Sequence, residues 1–223
     1  MNDLAIVCFS CDKNEEVWPT FIQCLDKYWP NHPTTYLLTE TLTFPLMNTI
    51  CFDYNLNQWS TRIYKSLETI KEDKIIFICD DCFLNAPINL EKLKRALYII
   101  KDDVANVNFE LSFIKEDMPC VYEGFKYKPF QSMCRLSFLC GLWDRKKLID
   151  IMKRKECNLW ELENEQNTMG YEIYQVSDQK IISWFRDEPY MFAAAYRGRW
   201  SKELPEFLKQ EGITMDLDKK GFY

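Results

Sequence analysis

Hydrophobic and polar residues change their spacing several times along the chain, and each change marks a predicted element. Short apolar runs between polar residues are typical of buried strands, and apolar residues three or four apart are typical of amphipathic helices. Apolar residues from Trp59 to Ile70 repeat at helical spacing and are followed by the apolar run KIIFIC at 74–79. This pattern predicts a helix that leads into a buried central strand.

The first half of the chain alternates predicted strands with predicted helices. Such alternation is the signature of an α/β sheet with crossover connections, so we expect a single α/β domain with a mostly parallel sheet. The predicted strands are 3–10, 34–39, 48–53, 74–79 and 104–111, and the predicted helices are 15–29, 54–73 and 85–103.

The second half is mixed rather than alternating. Residues 112–131 are irregular and rich in aromatic residues and lysine, which favours a long loop or flap over a ligand. A strand at 132–145, a short helix at 146–156 and a further helix from residue 158 are predicted after it.

Composition and charge narrow the class of protein. Hydrophobic residues make up 47% of the 223 residues and aromatic residues 15%, which is enough to form a folded core. The net charge of −6 and the scattered Lys and Arg residues argue against nucleic acid as a partner. With no apolar run of membrane-spanning length and no cationic leader, we expect a cytoplasmic protein, and the sequence leaves a peripheral membrane contact open.

Ten cysteines include two CxxC pairs, Cys8 with Cys11 and Cys79 with Cys82. This spacing occurs in zinc sites and in redox dithiols. Each pair begins in an apolar strand pattern, where residues three apart point to opposite faces, so buried free thiols are favoured. A non-enzymatic zinc or protein-binding module stays as an alternative.

Two adjacent carboxylates, Asp80 and Asp81, follow the most apolar strand. Ligands of open α/β sheets bind at the carboxyl ends of the strands. Paired carboxylates there suit Mg²⁺ or Mn²⁺, which take oxygen ligands and bridge to phosphates. A solvated turn with two exposed aspartates is the alternative.

Other polar residues are predicted at the same edge of the sheet. Ser10 and Asp12 follow the first strand and are candidates to hydrogen-bond a base or ribose, while Arg62 and Lys65 open the helix before the Asp80 strand and are candidates to face a pyrophosphate. Each of these residues alone is better explained by an ordinary loop or helix-surface position, and only their agreement on one edge of the sheet supports a site.

Three stretches, residues 4–30, 58–84 and 134–152, together with NLWELE at 158–163, resemble GT-A glycosyltransferases of the bacterial surface-polysaccharide (capsule or lipopolysaccharide) type. The resemblance implies a nucleotide-binding α/β sheet, with residues 1–110 as the nucleotide-sugar-binding half and 111–223 as the acceptor-binding and catalytic half. It also implies a metal-dependent transfer from a nucleotide-diphosphate donor, expected to be a UDP-sugar, to a glycan or lipid-linked saccharide.

The same resemblance assigns candidate site residues. Asp80 and Asp81 correspond to the acidic motif that binds the metal on the donor, although the acids are adjacent where the family usually has Asp-x-Asp. The base that takes the acceptor proton is expected in LWELENE, with Glu163 preferred to Glu161. The alternative is that both are solvent-facing acids in the first turn of a helix, where the helix dipole favours negative charge.

Aromatic side chains of the second half are candidate acceptor contacts, because sugars commonly lie against aromatic faces. We assign this role to Trp160, Tyr122 and Tyr127, and we expect Trp143 in the core.

A sugar-nucleotide nucleotidyltransferase is the closest alternative enzyme, but it ordinarily has a Gly-rich, basic loop after the first strand, where this chain has the acidic SCDKNEE. No phosphate-loop or dinucleotide motif occurs, and His32 is the only histidine. The sequence does not determine the donor sugar, the acceptor or the oligomeric state.

Overall fold

The computed structural model describes residues 3–52, 59–109, 111, 117–132, 134–163, 168, 170–186 and 193–223. A 3₁₀ helix at Asp12–Val17 accompanies the strands and α-helices. The strands are β1 Leu4–Phe9, β2 Thr35–Thr39, β3 Asn48–Cys51, β4 Lys74–Cys79, β5 Val104–Asn108, β6 Cys120–Tyr122, β7 Phe125–Tyr127, β8 Cys140–Asp144, β9 Glu172–Val176, β10 Ala195–Tyr196 and β11 Arg199–Trp200. The α-helices are α1 Trp18–Tyr28, α2 Trp59–Thr69, α3 Leu90–Ile99, α4 Arg145–Lys153, α5 Leu159–Glu163 and α6 Leu204–Glu211.

A nine-stranded sheet has the order β3-β2-β1-β4-β8-β5-β9-β7-β6. Strands β1 to β4 pair in parallel, and β5 pairs in parallel with β9. Strand β8 lies antiparallel between β4 and β5, and β7 is antiparallel to β9. The sheet is therefore mixed but mostly parallel, and it contains strands from both halves of the chain.

Helices cover both faces of the sheet, which explains why β1 and β4 read as continuous apolar runs. Alternate residues of β1 enter different cores: Ile6 and Cys8 pack with α1, α3 and α6, whereas Val7 and Phe9 pack with α2, α4 and α5. We call these the first core and the second core. Trp143 is fully buried in the second core, as predicted.

The first predicted helix begins later than its apolar pattern indicates. The 3₁₀ helix occupies the residues before it, and α1 begins at Trp18 with Pro19 in its first turn. Proline has no N–H to donate inside a helix, so it is tolerated only near the start. Helix α3 likewise begins late, at Leu90, where the Asn89 side chain accepts the Lys92 N–H at 3.0 Å.

The prediction of an irregular flap at 112–131 is wrong over its second part. Strands β6 and β7 form a hairpin there, with Gly124 at φ +78°, and β7 pairs with β9. Because β9 lies about fifty residues further along the chain, local spacing gave no sign of this pairing. Residues 112–116 lie outside the described residues.

The predicted strand at 132–145 is shorter than expected, since only Cys140–Asp144 pair in the sheet. Strand β9, the β10–β11 hairpin and α6 have no counterpart among the predicted elements. Within the described part of the chain, no helix is long and apolar enough to cross a membrane.

Candidate active site

The carboxyl ends of β1 and β4 meet at one edge of the sheet, because the two strands are parallel and Phe9 lies beside Cys79. The next residues, Ser10 and Asp80, are therefore in contact: Ser10 Oγ donates to Asp80 Oδ2 at 2.5 Å. The same carboxylate oxygen accepts Asn14 Nδ2 at 3.0 Å, and Trp18 Nε1 donates to Ser10 Oγ at 2.7 Å. The 3₁₀ helix and the start of α1 thus orient Asp80, a contribution that sequence reasoning missed.

Asp81 is held by the chain around β10. Its Oδ2 accepts the N–H of Ala195 at 3.2 Å, and its backbone oxygen accepts the N–H of Ala194 at 3.2 Å. Its Oδ1 is buried and has no hydrogen-bond partner among the described residues. This oxygen is therefore available to a ligand.

Burial determines the electrostatics of this carboxylate pair. Burial, reinforced by the charge of Asp81, raises the pKa of Asp80 to about 7, although hydrogen bonds from Ser10 and Asn14 oppose the rise. Burial also raises the pKa of Asp81. Two buried carboxylates repel each other when both are ionised, so a cation bound between them would relieve a real cost.

Potential metal ligands converge at this point. One oxygen each of Asp80 and Asp81 and the Sγ of Cys79 lie within 4.8 Å of one another, and the described residues contain no other group of three such ligands. All ten cysteines are free, with Cys8 and Cys82 buried. Among the described residues, the four cysteines of the two CxxC pairs do not form a group of three or more metal ligands. Cys8 and Cys82 are buried as expected, whereas Cys11 and Cys79 are only partly buried.

Asp12 holds the loop after β2. Its carboxylate accepts Thr39 Oγ1 at 2.6 Å and the backbone N–H groups of Thr41 and Leu42 at 3.1 and 3.2 Å. Burial alone would raise the pKa of Asp12, but these hydrogen bonds hold it well below its ordinary value. The carboxylate is thus already occupied, and its prediction as a base or ribose ligand has no support from these contacts.

Arg62 lies at the predicted edge, but its charge is paired. The side chain is buried, forms an ion pair with Glu40 and donates through Nη2 to the backbone oxygen of Ser10 at 3.4 Å. Glu40 follows β2 directly, so its position after an apolar strand was the signal that sequence reasoning overlooked. Lys65 lies one turn further along α2 and is half-buried.

Glu163, at the end of α5, reaches the same edge of the sheet. Its Oε1 accepts the N–H of Phe138 at 3.0 Å, and the next residue, Leu139, accepts the N–H of Cys79 at 3.0 Å. Burial raises the pKa of Glu163, while the Phe138 N–H and the charge of Lys128 oppose the rise. A partly buried carboxylate with a raised pKa suits a general base.

Glu161 has a different position. Its carboxylate accepts the N–H of Asn158 at 3.0 Å, and the Asn158 side chain accepts the N–H of Glu161 at 3.0 Å. This reciprocal pair caps the start of α5 on an exposed face. The geometry favours Glu163 over Glu161 as the base.

The three aromatic candidates for acceptor contact do not lie together. Trp160 is 66% exposed on α5, whose Leu162 packs in the second core. Tyr122 and Tyr127 pack edge-on against Tyr174, at 5.4 and 5.8 Å, beside the first core. Strand alternation sends these tyrosines to the opposite face of the sheet from α5.

The segment 213–223 closes one side of the site, which the sequence did not indicate. Its backbone pairs with Trp200, and Lys220 forms an ion pair with Glu16 and lies 4.4 Å from the centre of the Trp200 ring. The charge of Lys220 also opposes the rise in the pKa of Asp81. A cation is therefore already present near the carboxylate pair.

Compared by sequence, the chain matches no protein-family model and no curated protein. Compared by structure, it is similar to S. aureus TarS. Against TarS 1–349 in complex with UDP-GlcNAc, the TM-score is 0.52 at 15% identity, covering 97% of this chain and 68% of that chain. Against TarS 1–349 in complex with UDP, the TM-score is 0.51 at 12% identity, and the match covers 81% of this chain and 60% of that chain.

A further structure of TarS gives a TM-score of 0.50 at 12% identity, covering 82% of this chain. The chain spans 36% of the length of that TarS chain. Likeness at this level of identity concerns the fold, and it agrees with the strand order and the flanking helices described above. The protein has the mixed α/β, GT-A-like fold of these structures.

Proposed function

We propose that this protein is a nucleotide-sugar glycosyltransferase that transfers a sugar from a nucleotide-diphosphate donor to a glycan or lipid-linked saccharide. The observation that carries the proposal is the buried pair Asp80 and Asp81 at the carboxyl edge of the parallel strands, oriented by hydrogen bonds and connected to Arg62 through Ser10. Such a pair stabilises nothing by itself, because burial and mutual repulsion both oppose its ionisation. A bound cation, or a ligand that carries one, would neutralise the two buried negative charges.

The donor set fits Mg²⁺ or Mn²⁺. Asp81 Oδ1 is a buried oxygen without a partner among the described residues, and one carboxylate oxygen each of Asp80 and Asp81 lie within 4.8 Å of each other. Hard divalent cations take carboxylate oxygens together with phosphate oxygens. When bound, the cation would neutralise negative charge on the departing nucleotide diphosphate.

The donor nucleotide is proposed to lie over the ends of β1 and β2. Ser10, Glu40 and Arg62 form one connected polar group there, and they supply donors and acceptors for a base, a ribose or a phosphate. The TarS complexes contain UDP and UDP-GlcNAc. This supports a UDP-sugar as the first donor class to test.

Glu163 is proposed as the base. In the transfer, the acceptor oxygen forms a bond to the anomeric carbon, the bond from that carbon to the diphosphate oxygen breaks, and the acceptor proton passes to the Glu163 carboxylate. The Phe138 N–H fixes one carboxylate oxygen at 3.0 Å and so orients the group. The exposed ring of Trp160, on the same short helix, offers a face for the acceptor saccharide.

Ligand-induced stabilisation tests the proposal directly. Thermal unfolding should be measured with UDP, CDP and GDP and their sugar conjugates, each with and without Mn²⁺. We expect UDP or a UDP-sugar to raise Tm only when Mn²⁺ is present, and we expect Asp81→Asn to abolish the shift.

Asp103→Asn is the matched control, because it removes one exposed carboxylate before β5 and should keep the wild-type response. No response to any nucleotide would overturn the proposal. Pyrophosphate release from CTP and a sugar phosphate would instead indicate a nucleotidyltransferase.

A further inference from the structure

The two carboxylates of the candidate site are held by supports from different parts of the chain. Asn14, in the 3₁₀ helix, donates its side-chain N–H to Asp80 at 3.0 Å. Ala195, in β10, donates its backbone N–H to Asp81 at 3.2 Å. Neither support belongs to the nine-stranded sheet or to an α-helix, so the positions of both carboxylates depend on short local structures.

Each support is weak by itself. Asn14 has φ −108° and ψ 16°, which departs from helical geometry inside the 3₁₀ helix. Strands β10 and β11 form a two-stranded sheet of two residues each. Isolated two-stranded hairpins are marginally stable at best in water. Further contacts are therefore needed to fix each support.

Residues 217–223, which we call the strap, contact the first support through two ion pairs. Lys219 Nζ donates to Glu15 Oε1 at 2.8 Å, and Lys220 pairs with Glu16. The first pair is half-exposed, whereas the Lys220 and Glu16 side chains are only 13% and 4% exposed. Because a buried partner left unpaired is costly, the Lys220 pair is the stronger attachment.

Lys220 also makes a contact on the other side of Asn14. Its Nζ donates to the backbone oxygen of Lys13 at 3.4 Å. The ammonium group of Lys220 thus binds the residues immediately before and soon after Asn14, and it holds the part of the 3₁₀ helix that orients Asp80.

The strap contacts the second support through Trp200 on β11, which lies opposite Ala195 on β10. The Trp200 N–H donates to the backbone oxygen of Gly221 at 2.8 Å, and the Tyr223 N–H donates to the backbone oxygen of Trp200 at 3.1 Å. Trp200 Nε1 donates to the backbone oxygen of Leu217 at 3.2 Å. The strap therefore adds a third chain to the short hairpin that holds Asp81.

We propose that the strap holds Asp80 and Asp81 in the geometry of a cation site, with Lys220 as the positioning residue that fastens it. The same seven residues contact the supports of both carboxylates, so they fix the two supports relative to each other. This inference rests on the proposed function, in which a divalent cation binds the pair. The residues of the strap are exposed or half-buried, so it can detach without opening either core.

Lys220→Met removes the fastening charge and tests the inference directly. Binding of Mn²⁺ alone should be measured from the EPR signal of the free ion. We expect the Kd for Mn²⁺ to rise by about tenfold, as when a partner of a metal ligand is lost. Lys220→Arg keeps a cation beside Glu16 and the Trp200 ring, so it should restore most of the affinity.

Hydrogen exchange of the Ala195 N–H gives a second measurement that needs no metal. This N–H donates to Asp81, and it exchanges only when the support moves away. We expect its exchange, followed by NMR, to be faster by at least about threefold in Lys220→Met.

Lys74→Met is the matched control. Lys74 also forms a partly buried ion pair, with Asp144 at 2.6 Å, but it begins β4 at the opposite edge of the sheet. Its Mn²⁺ affinity and Ala195 exchange should be those of the wild type. Wild-type values of both quantities in folded Lys220→Met refute the inference, and so do equal changes in Lys74→Met.

If Lys220→Met does not fold, the wild type supplies the reciprocal measurement. A cation that binds more tightly when the strap is fastened also favours the fastened strap, by thermodynamic linkage. Saturating Mg²⁺, which is diamagnetic, should therefore slow exchange of the Trp200 N–H, whose acceptor is Gly221. Unchanged exchange at Trp200 refutes the inference.

The two proposals can fail separately. Nucleotide and Mn²⁺ binding that is the same in the wild type and in Lys220→Met, with unchanged Ala195 exchange, refutes the role of the strap alone. A wild type that binds neither Mn²⁺ nor any nucleotide refutes the proposed function and, with it, the cation site that the strap would hold together.

Discussion

Asp80→Asn should make the stability of the protein less dependent on pH. In the wild type, burial and the charge of Asp81 raise the pKa of Asp80 to about 7, whereas an aspartate in an unfolded chain has a pKa of about 3.9. The folded protein therefore holds this proton more tightly than the unfolded chain does. The stabilisation is fully present below the unfolded pKa and is lost as pH rises towards the folded pKa.

The magnitude follows from the difference between the two pKa values. About three pKa units correspond to about 4 kcal/mol, of which roughly 2 to 3 kcal/mol falls between about pH 5 and pH 8. Asn cannot ionise, but its side-chain oxygen still accepts a hydrogen bond in the place of Oδ2. Relative to the wild type, the variant should gain roughly 2 to 3 kcal/mol in the free energy of unfolding across this pH range.

Urea unfolding at half-unit pH intervals measures this difference, with Asp103→Asn as the control for loss of an exposed carboxylate. Saturating Mn²⁺ should flatten the pH dependence of the wild type, because a bound cation stabilises the ionised pair. Parallel pH dependences for the wild type and Asp80→Asn would refute the reasoning that burial holds a proton on this carboxylate.

Three further predictions follow from contacts in the structure. Glu163→Gln should reduce the transfer rate by a factor of about 10² to 10⁴ while the donor still raises Tm. Glu161→Gln weakens only the cap of α5 and should retain transfer in the same assay. Equal losses in the two variants would contradict the assignment of Glu163 as the base. Lys220→Met should lower the free energy of unfolding by about 2 to 4 kcal/mol, because it leaves Glu16 buried and unpaired. In a double-mutant cycle measured by urea unfolding, Glu16→Gln should recover part of that loss, and additive losses would exclude the pair. Phe77→Ala should cost about 3 to 5 kcal/mol in urea unfolding, because it removes a fully buried ring that stacks on Phe9 and meets Phe138 edge-on. A loss below about 1 kcal/mol would mean that the second core collapses around the cavity.

Parallel strands explain why part of the candidate site was predictable. Ser10 and Asp80 each follow an apolar strand, and the carboxyl ends of parallel neighbours meet at one edge. No knowledge of side-chain packing is needed for that inference. The binding roles of these residues remain proposals.

Contacts across long stretches of the chain explain the rest. Ala195 reaches Asp81 across 114 residues, and Lys128, which directly follows β7, donates its backbone N–H to the backbone oxygen of Ile173 in β9. Asp12 is a different case: its carboxylate accepts hydrogen bonds from Thr39, Thr41 and Leu42 around the loop after β2, which local spacing does not indicate.

The sequence by itself determined the α/β class, the two-sided burial of the central strands and the edge at which Asp80 and Asp81 emerge, because these depend on residue spacing within single elements. The tertiary structure decided which charges are compensated. Arg62 is paired with Glu40 and Lys220 with Glu16, whereas one carboxylate oxygen of Asp81 has no partner among the described residues. Compensation depends on which side chains the folded chain brings within hydrogen-bond distance and on which it removes from water. Local residue spacing determines neither the proximity nor the burial of side chains that are distant in sequence.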